Sequence, residues 1–363
     1  MDIGKIDINL ANSTITKTDI CWRSARKEPF AIHGVIYDEA EGQFIRLPTE
    51  VSKAVSNAVY NLSKMTSGGR VRFKTDSPYV ALYCRAPRIK AMPHMPLSGS
   101  HGFSIYCNGK YAGKVTPSVD EVTTPHEEGI LFSGEVNLPA EQKTEIEVYM
   151  PLYAGVCELL IGVKEGSAIE APRPYTYTSP IVLYGSSITQ GACASRPGND
   201  YAMRLSRLFD ADVLNLGFSG NGNAEPAMLA YLASLDASAF IFDYNYYVSR
   251  PERVLPPHFE VYNTLRTANP KTPILMVDKP AYMFAGENYK VRSKIIRETY
   301  EKAKELGDER VDMMDATAFF GFIEPDACVV DTDHPNDLGF YRMADATYPK
   351  LKKLLEGNTS ENR

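Results

Sequence analysis

Two residues far apart in the chain have the makings of a nucleophile and its base. Ser187 lies in Tyr184-Gly185-Ser186-Ser187-Ile188-Thr189-Gln190-Gly191, directly after a short apolar run. A serine at a strand-to-helix turn is exposed, and its own N–H can face an incoming carbonyl. Flanking glycines let the chain turn and admit a ligand closely. A Ser/Gly-rich turn without chemistry has the same composition. A serine hydroxyl is a weak nucleophile and needs a base, and histidine, titrating near neutrality, is the usual one. His334 stands in Val330-Asp331-Thr332-Asp333-His334-Pro335 and, of the six histidines (33, 94, 101, 126, 258, 334), is the only one with an acid three residues earlier. Asp331 can turn back and hold the second ring nitrogen, whereas Asp333 is adjacent and would have to reach backwards. The plainer alternative is a loop of solvated acids with a surface histidine.

A third segment, Asn215-Leu216-Gly217-Phe218-Ser219-Gly220-Asn221-Gly222-Asn223, is glycine-rich. It offers a backbone N–H to a developing oxyanion, or is simply a tight connection. It contains no G-x-x-x-x-G-K-[ST] and no G-x-G-x-x-G, which disfavours phosphate binding. The G-x-S-x-G elbow of the α/β-hydrolases is also absent.

These segments need strand ends to hold them, and the chain supplies strands in two styles. From about 25 to 170 the signals are those of an antiparallel β-sandwich. Residues 70–74 alternate as a half-buried strand does, 79–84, 145–149 and 158–163 read as further strands, and Asn108-Gly109 suits a type I′ hairpin turn. One helix is predicted over 50–62 from its apolar spacing. The proline-rich stretch 171–179 reads as a linker. Beyond it, apolar runs at 181–184, 213–216, 239–243, 274–277 and 311–314 alternate with helical patterns at 201–209, 225–234, 257–268, 294–306 and 338–355. That rhythm implies a parallel sheet covered on both faces, with reactive groups at the carboxyl ends of its strands. The expected domains are 1–170, a linker at 171–179, 180–357 and a tail at 358–363.

Composition narrows the class. The chain has 363 residues, 44% apolar and 23% charged, and a net charge of −6, which suits a two-domain globular protein rather than a disordered one. No basic patch marks a nucleic-acid surface, and no apolar run approaches a membrane span. The start MDIGKIDINL lacks a basic region followed by an apolar one, so a cytoplasmic location is expected. Six widely spaced cysteines without C-x-x-C argue for buried free thiols and against a metal or redox site.

The second half resembles the SGNH hydrolases, also called the GDSL lipase/acylhydrolase superfamily. Gly185-Ser186-Ser187 matches the G-D-S block, with Ser186 in place of the usual Asp, and Asp331-Thr332-Asp333-His334-Pro335 matches the closing D-x-x-H-P. Asn215 to Gly220 is similar to the second block. Ala192-Cys193-Ala194-Ser195-Arg196-Pro197 and Asn336-Asp337-Leu338-Gly339-Phe340 continue as in one branch of the family. The first half is similar to that branch's β-rich domain with a G-F-D-L-Y signature, here Gly102-Phe103-Ser104-Ile105-Tyr106. The resemblance spans about residues 25–355.

The resemblance implies a flavodoxin-like three-layer α/β/α domain preceded by a jelly-roll-like antiparallel sandwich. It implies Ser187 as nucleophile, His334 as general base and Asp331 as the residue orienting it, with the N–H groups of Ser187 and Gly220 in the oxyanion hole. It implies a serine esterase with no metal or organic cofactor, acting on O-acetyl groups of a small-molecule or oligosaccharide ester. Other acyl hydrolases, such as a lysophospholipase or thioesterase, and a catalytically degenerate carbohydrate-binding protein are the alternatives. The β-domain suits a saccharide-facing or lid role, and equally a homo-oligomer contact. Besides Ser186 and Ser104, the sequence departs from the family at the oxyanion hole. The usual third oxyanion donor is an Asn four residues after the third strand's Asp, and Tyr247 stands there. Removing one such donor costs about 2.7–4 kcal/mol, so a replacement is expected. Asn245 is the preferred candidate, with Tyr247, Asn221 and Asn223 as others. Arg196 and Glu225 flank the site loops and are read either as substrate contacts or as structural and capping groups.

Overall fold

The computed structural model describes residues 12–88, 90–124, 127–139, 143–244, 257–284 and 286–357. By its internal contacts the chain forms two compact units. The first takes residues up to Arg46, Lys64–Pro174 and Ser195–Pro197, and the second takes Leu47–Ser63, Tyr175–Ala194 and the chain from Gly198 on.

The first unit is antiparallel throughout. Its strands are β1 (Ile20–Ser24), β2 (Ala31–His33), β3 (Ile36–Asp38), β4 (Gln43–Ile45), β5 (Arg70–Thr75), β6 (Tyr79–Ala86), β7 (Phe103–Cys107), β8 (Lys110–Val115), β9 (Ile130–Asn137), β10 (Thr144–Tyr149), β11 (Glu158–Lys164) and β12 (Ile169–Glu170). They pair as β1-β11-β6-β9, as β12-β5-β10-β7-β8 with β2 on β5, and as the hairpin β3-β4. Val71, Phe73, Ile105 and Val148 of one large sheet share a buried cluster with Val80, Leu82, Phe132 and Ile161 of the other. This is the core of a two-sheet sandwich, with inward apolar positions recurring at every second residue. The expected β7–β8 hairpin forms, and Asn108 (φ 49°) and Gly109 (φ 75°) both occupy the left-handed region a type I′ turn requires. The polar face of β5 is not solvated as a half-buried strand's would be: Arg72 is buried, because it lies opposite Glu147 of β10 and its Nε pairs with that carboxylate at 3.0 Å.

The single helix expected over 50–62 is two, α1 (Thr49–Val55) and α2 (Asn57–Ser63). Ser56 between them is extended, and its hydroxyl accepts the N–H of Val59 at 3.1 Å, so a capping serine interrupts the apolar spacing. Both helices belong to the second unit, where Val59 joins the core beside Met228. Two further short helices, α3 (Leu97–Ser100) and α4 (Val119–Thr123), lie in the first unit.

The second unit is built on a parallel sheet in the order β14 (Ala211–Gly217), β13 (Tyr177–Gly185), β15 (Ala239–Phe242), β16 (Ile274–Val277) and β17 (Val311–Met314). Around it run α5 (Ser187–Gln190), α6 (Tyr201–Phe209), α7 (Pro226–Ala233), α8 (His258–Ala268), α9 (Glu287–Glu305), α10 (Thr317–Phe320) and α11 (Asp337–Gly357). Alternate strand residues Val182, Tyr184, Phe240, Phe242, Ile274 and Met276 pack with α7, α8 and α9 in one cluster. Their neighbours Ile181, Leu183, Ile241 and Leu275 are equally buried but outside that cluster, on the opposite face of the pleat. The apolar runs are continuous because both faces are covered. Strand β13 begins at Tyr177, inside the stretch read as linker. Among the described residues no helix is long and apolar enough to cross a membrane.

Candidate active site

The parallel register sets three strand ends side by side, with Gly185 opposite Gly217 and Tyr184 opposite Phe242. Ser187 opens the one-turn helix α5 directly after β13. The first N–H groups of a helix have no intrahelical acceptor, so the Ser187 amide is positioned by the helix without being used by it. Ser186 caps that turn, its hydroxyl accepting the N–H of Ile188 at 3.3 Å.

Ser186 and Thr189 both donate to Asp243 Oδ2 at the end of β15, at 3.1 and 3.2 Å. Burial pushes the Asp243 carboxyl up to about 7, against these hydrogen bonds and the charge of Lys279. This explains the serine at 186. An aspartate there would set a second carboxylate against Asp243 in a buried site, and one of the two would have to stay protonated. Asp243, Thr189 and Lys279 were not legible as site residues, since an acid at the end of an apolar run does not reveal which neighbour it faces.

The β14 loop is tied to the nucleophile turn by side chains. Gln190 Oε1 accepts the Ser219 N–H at 3.0 Å, and Asn215 Nδ2 donates to Thr189 O at 2.8 Å. Gly220 sits in the left-handed region at φ 69°. At Gly217 an added Cβ would lie 2.2 Å from the Gln190 backbone nitrogen, and at Gly222 2.4 Å from Gly185 O. Backbone cannot yield as a flexible side chain can. Alanine at 217 is therefore expected to cost roughly 1–3 kcal/mol through overpacking and to weaken any activity that depends on Gly220. Thermal unfolding beside a rate measurement checks this, and an unchanged Tm would contradict it.

The third part comes from the loop after β17 and α10. Asp331 Oδ1 accepts the N–H groups of Asp333 (2.7 Å) and His334 (2.6 Å), while Oδ2 faces His334 Nδ1 at 2.9 Å. One carboxylate thus folds the turn and orients the ring. His334 Nε2 lies 2.9 Å from Ser187 Oγ, across a separation of 147 residues. Only one tautomer satisfies both contacts: Nδ1–H donates to Asp331, leaving Nε2 to accept the serine proton. Asp333 turns elsewhere and forms an ion pair with Lys279, just after β16. The loop is held to the nucleophile segment by Cys193 N–H donating to Pro335 O at 2.8 Å. Burial, with the Asp331 charge added, pushes the Cys193 thiol up to about 12, so it is no rival nucleophile.

The remaining sequence candidates are placed as follows. Asn221 Nδ2 donates back to Ser219 O at 2.8 Å, and Asn223 Nδ2 donates to Glu225 Oε1 at 3.2 Å. Glu225 is the residue before α7 but its side chain makes no capping bond. Arg196 donates to Tyr106 OH at 2.6 Å and stacks its guanidinium 3.7 Å from the Tyr111 ring centre, within the first unit. Asn245 and Tyr247 lie outside the described residues.

Comparison with known proteins places this arrangement. Residues 178–352 match the model of the GDSL-like Lipase/Acylhydrolase family, and residues 20–169 match the N-terminal domain of SGNH-hydrolase-type esterases. The chain's second half is a domain of the GDSL-like lipase/acylhydrolase family. The protein is thus a carboxylic ester hydrolase, and its parallel-sheet unit is the family's α/β domain, preceded in sequence by a β-rich N-terminal domain. No curated protein sequence matches this hydrolase. Among solved structures it is similar to a Bacteroides ovatus ATCC 8483 protein described as a GDSL-like lipase, with 28% identity over 93% of this chain and 98% of that one and a TM-score of 0.78. It shares its fold with the salicylyl-acyltransferase SsfX3 of a tetracycline biosynthetic pathway, at 17% identity, 93% and 98% coverage and a TM-score of 0.74. The same holds for the acetyl xylan esterase Est2A of Butyrivibrio proteoclasticus, at 13% identity, 93% and 100% coverage and a TM-score of 0.55.

Proposed function

We propose that this hydrolase removes short acyl groups, preferentially acetyl, from carbohydrate esters through an acyl-Ser187 intermediate. The observation that carries the mechanism is the Ser187–His334–Asp331 chain, with both links at 2.9 Å. His334 Nε2 takes the Ser187 proton as Oγ attacks the ester carbonyl, and Asp331 stabilises the imidazolium. The N–H groups of Ser187 and Gly220 receive the oxyanion. His334 then returns its proton to the departing sugar hydroxyl. Water, deprotonated by the same nitrogen, releases acetate and regenerates the serine. The third oxyanion donor is assigned to Asn245. The choice of acetyl-sugar ester draws on the acetyl xylan esterase and the family two carbohydrate esterases that share this two-part fold.

The test is hydrolysis of p-nitrophenyl acetate, butyrate and octanoate, followed by acetylated oligosaccharides, with fluorophosphonate labelling of Ser187 read by peptide mass. A preference for acetate with labelled Ser187 is expected. Preference for octanoate would replace the sugar ester by a lipid ester. Turnover only in the presence of an acceptor alcohol would mark an acyltransferase. Absence of both label and turnover, with sugar binding retained, would mark a carbohydrate-binding protein instead.

A further inference from the structure

The loop that carries Asp331 and His334 is exposed for such a role: the two side chains are 43% and 21% accessible. What restrains it from the sheet side is a cation. Lys279 follows β16, is only 12% accessible, and is ion-paired with Asp333, the residue between the acid turn and the histidine. The Asp333 N–H in turn donates to Asp331 Oδ1. Lys279 is also close enough to Asp243 to work against the burial of that carboxyl, and Asp243 holds the hydroxyls of Ser186 and Thr189 on either side of Ser187. A single ammonium is therefore ion-paired with the acid beside the base and also bears on the charge of the acid under the nucleophile turn.

We infer that Lys279 is a positioning residue for the ester hydrolysis: its ammonium pins the Asp331–His334 loop through Asp333 and neutralises the acid adjacent to the histidine. This deepens the proposed serine mechanism and rests on it. An ammonium is a compact charge whose donors rotate freely, so it can serve acids on two different loops without demanding a fixed fork. Asp333 unneutralised would favour a charged imidazolium and so weaken the base. The charged or titratable groups around His334 include Asp331 and Asp333 on its own loop and Cys193 on the segment bonded to Pro335. Lys279 follows β16, and Asp243 stands beyond it at the end of β15. Asp278, next to Lys279, is turned to Ser293 and to the Lys279 backbone N–H.

The experiment compares wild type with Lys279→Met, Lys279→Arg, Asp333→Asn and the Met/Asn double variant. Two readouts are taken: the pH titration of the His334 ring by NMR of histidine-labelled protein, its signal assigned by loss in His334→Gln, and kcat/KM for p-nitrophenyl acetate against pH. Lys279→Met should move the His334 midpoint and the acidic limb of the profile up, and Asp333→Asn should move both down, each by about 0.5–1 pH unit for one nearby charge at partial exposure. The double variant should return near wild type in midpoint yet remain roughly tenfold or more slower, because the pin is still missing. Lys279→Arg should restore the limb. Midpoints that stay put, or move the same way in both single variants, overturn the proposal. If Lys279→Met does not fold, Lys279→Gln, which keeps a polar side chain and removes the charge, carries the same expectation. If wild type hydrolyses no ester, the serine mechanism fails, while the ring titration still reports on Lys279 separately.

Discussion

Alanine at Ser187 is expected to lower kcat for p-nitrophenyl acetate by roughly 10^5–10^6, alanine at His334 by nearly as much, and the two together by no more than either alone. Residues that act as one unit are non-additive in this way, and the 2.9 Å Oγ–Nε2 contact makes them one unit. Independent, additive losses would show that the pair does not share a proton. Asparagine at 331 separates the two acids of the loop. The Asp331 carboxylate uses one oxygen for two backbone N–H groups and the other for the ring. An amide has only one oxygen. Two hydrogen bonds outweigh one, so the oxygen stays with the backbone and the NH2 faces Nδ1. That forces the other tautomer, with Nε2–H pointing at Ser187. The same change at a buried aspartate costs about 10^4 in kcat. Asp331 is partly open to water, which reduces the expected loss to about 10^2–10^3. Asparagine at 333 is expected to cost less than tenfold at the plateau, since that side chain faces Lys279 and not the ring, and the amide oxygen can still accept from the ammonium and keep the loop pinned. The opposite ranking would move the orienting role to Asp333.

Thermal stability between pH 4 and 6.5 is expected to be governed by two buried groups that oppose each other. Asp243 has its carboxyl raised from 3.8 to about 7, first by burial. The folded chain then keeps a proton that the unfolded chain releases, so stability falls as pH rises through this window. His258 is buried, stacks on Phe242 and Tyr244, and its ring nitrogens have no hydrogen-bond partner among the described residues. Burial lowers it from 6.5 to about 3. Here the unfolded chain takes up a proton that the folded chain refuses, so stability falls as pH drops. Each is worth up to roughly 4 kcal/mol over the window, and the slopes cancel. Single substitutions should unmask them. His258→Phe should raise the Tm most at pH 4, by about 8–16 °C at 2–4 °C per kcal/mol, leaving a Tm that declines towards neutrality. Asp243→Asn should raise it most at pH 8 and leave a decline towards acid. Parallel Tm–pH curves for wild type and both variants would show that neither group is held as described.

Legibility in the sequence followed the range of the interactions. Ser187, Asp331 and His334 could be named as candidates because each depends on local geometry, a strand-to-helix turn or an acid three residues before a histidine, and the structure brings the three together. The parallel sheet was legible because β13 to β17 are short apolar runs separated by helical periodicity. Asp243 and Lys279 were not, since their meaning depends on which strands become neighbours. Only the order β14-β13-β15-β16-β17 puts Asp243 beside Ser186 and Lys279 beside Asp333. Arg72 misled for the same reason, since alternation marks a polar face but cannot say that Glu147 lies opposite. The split of the 50–62 helix turned on one serine hydroxyl, a capping choice that apolar spacing does not register.

The Asp331 turn carries a last consequence. The acid, the base and the ring tautomer are specified within four consecutive residues, since one side chain folds the turn and orients the ring. Their alignment with the distant nucleophile includes a main-chain link, Cys193 N–H to Pro335 O. Main-chain groups survive any substitution that leaves the backbone path intact. The acid–base pair is therefore a portable cassette. Under the proposed mechanism, side chains around it can be exchanged to reshape the entrance while the proton-handling turn keeps its geometry.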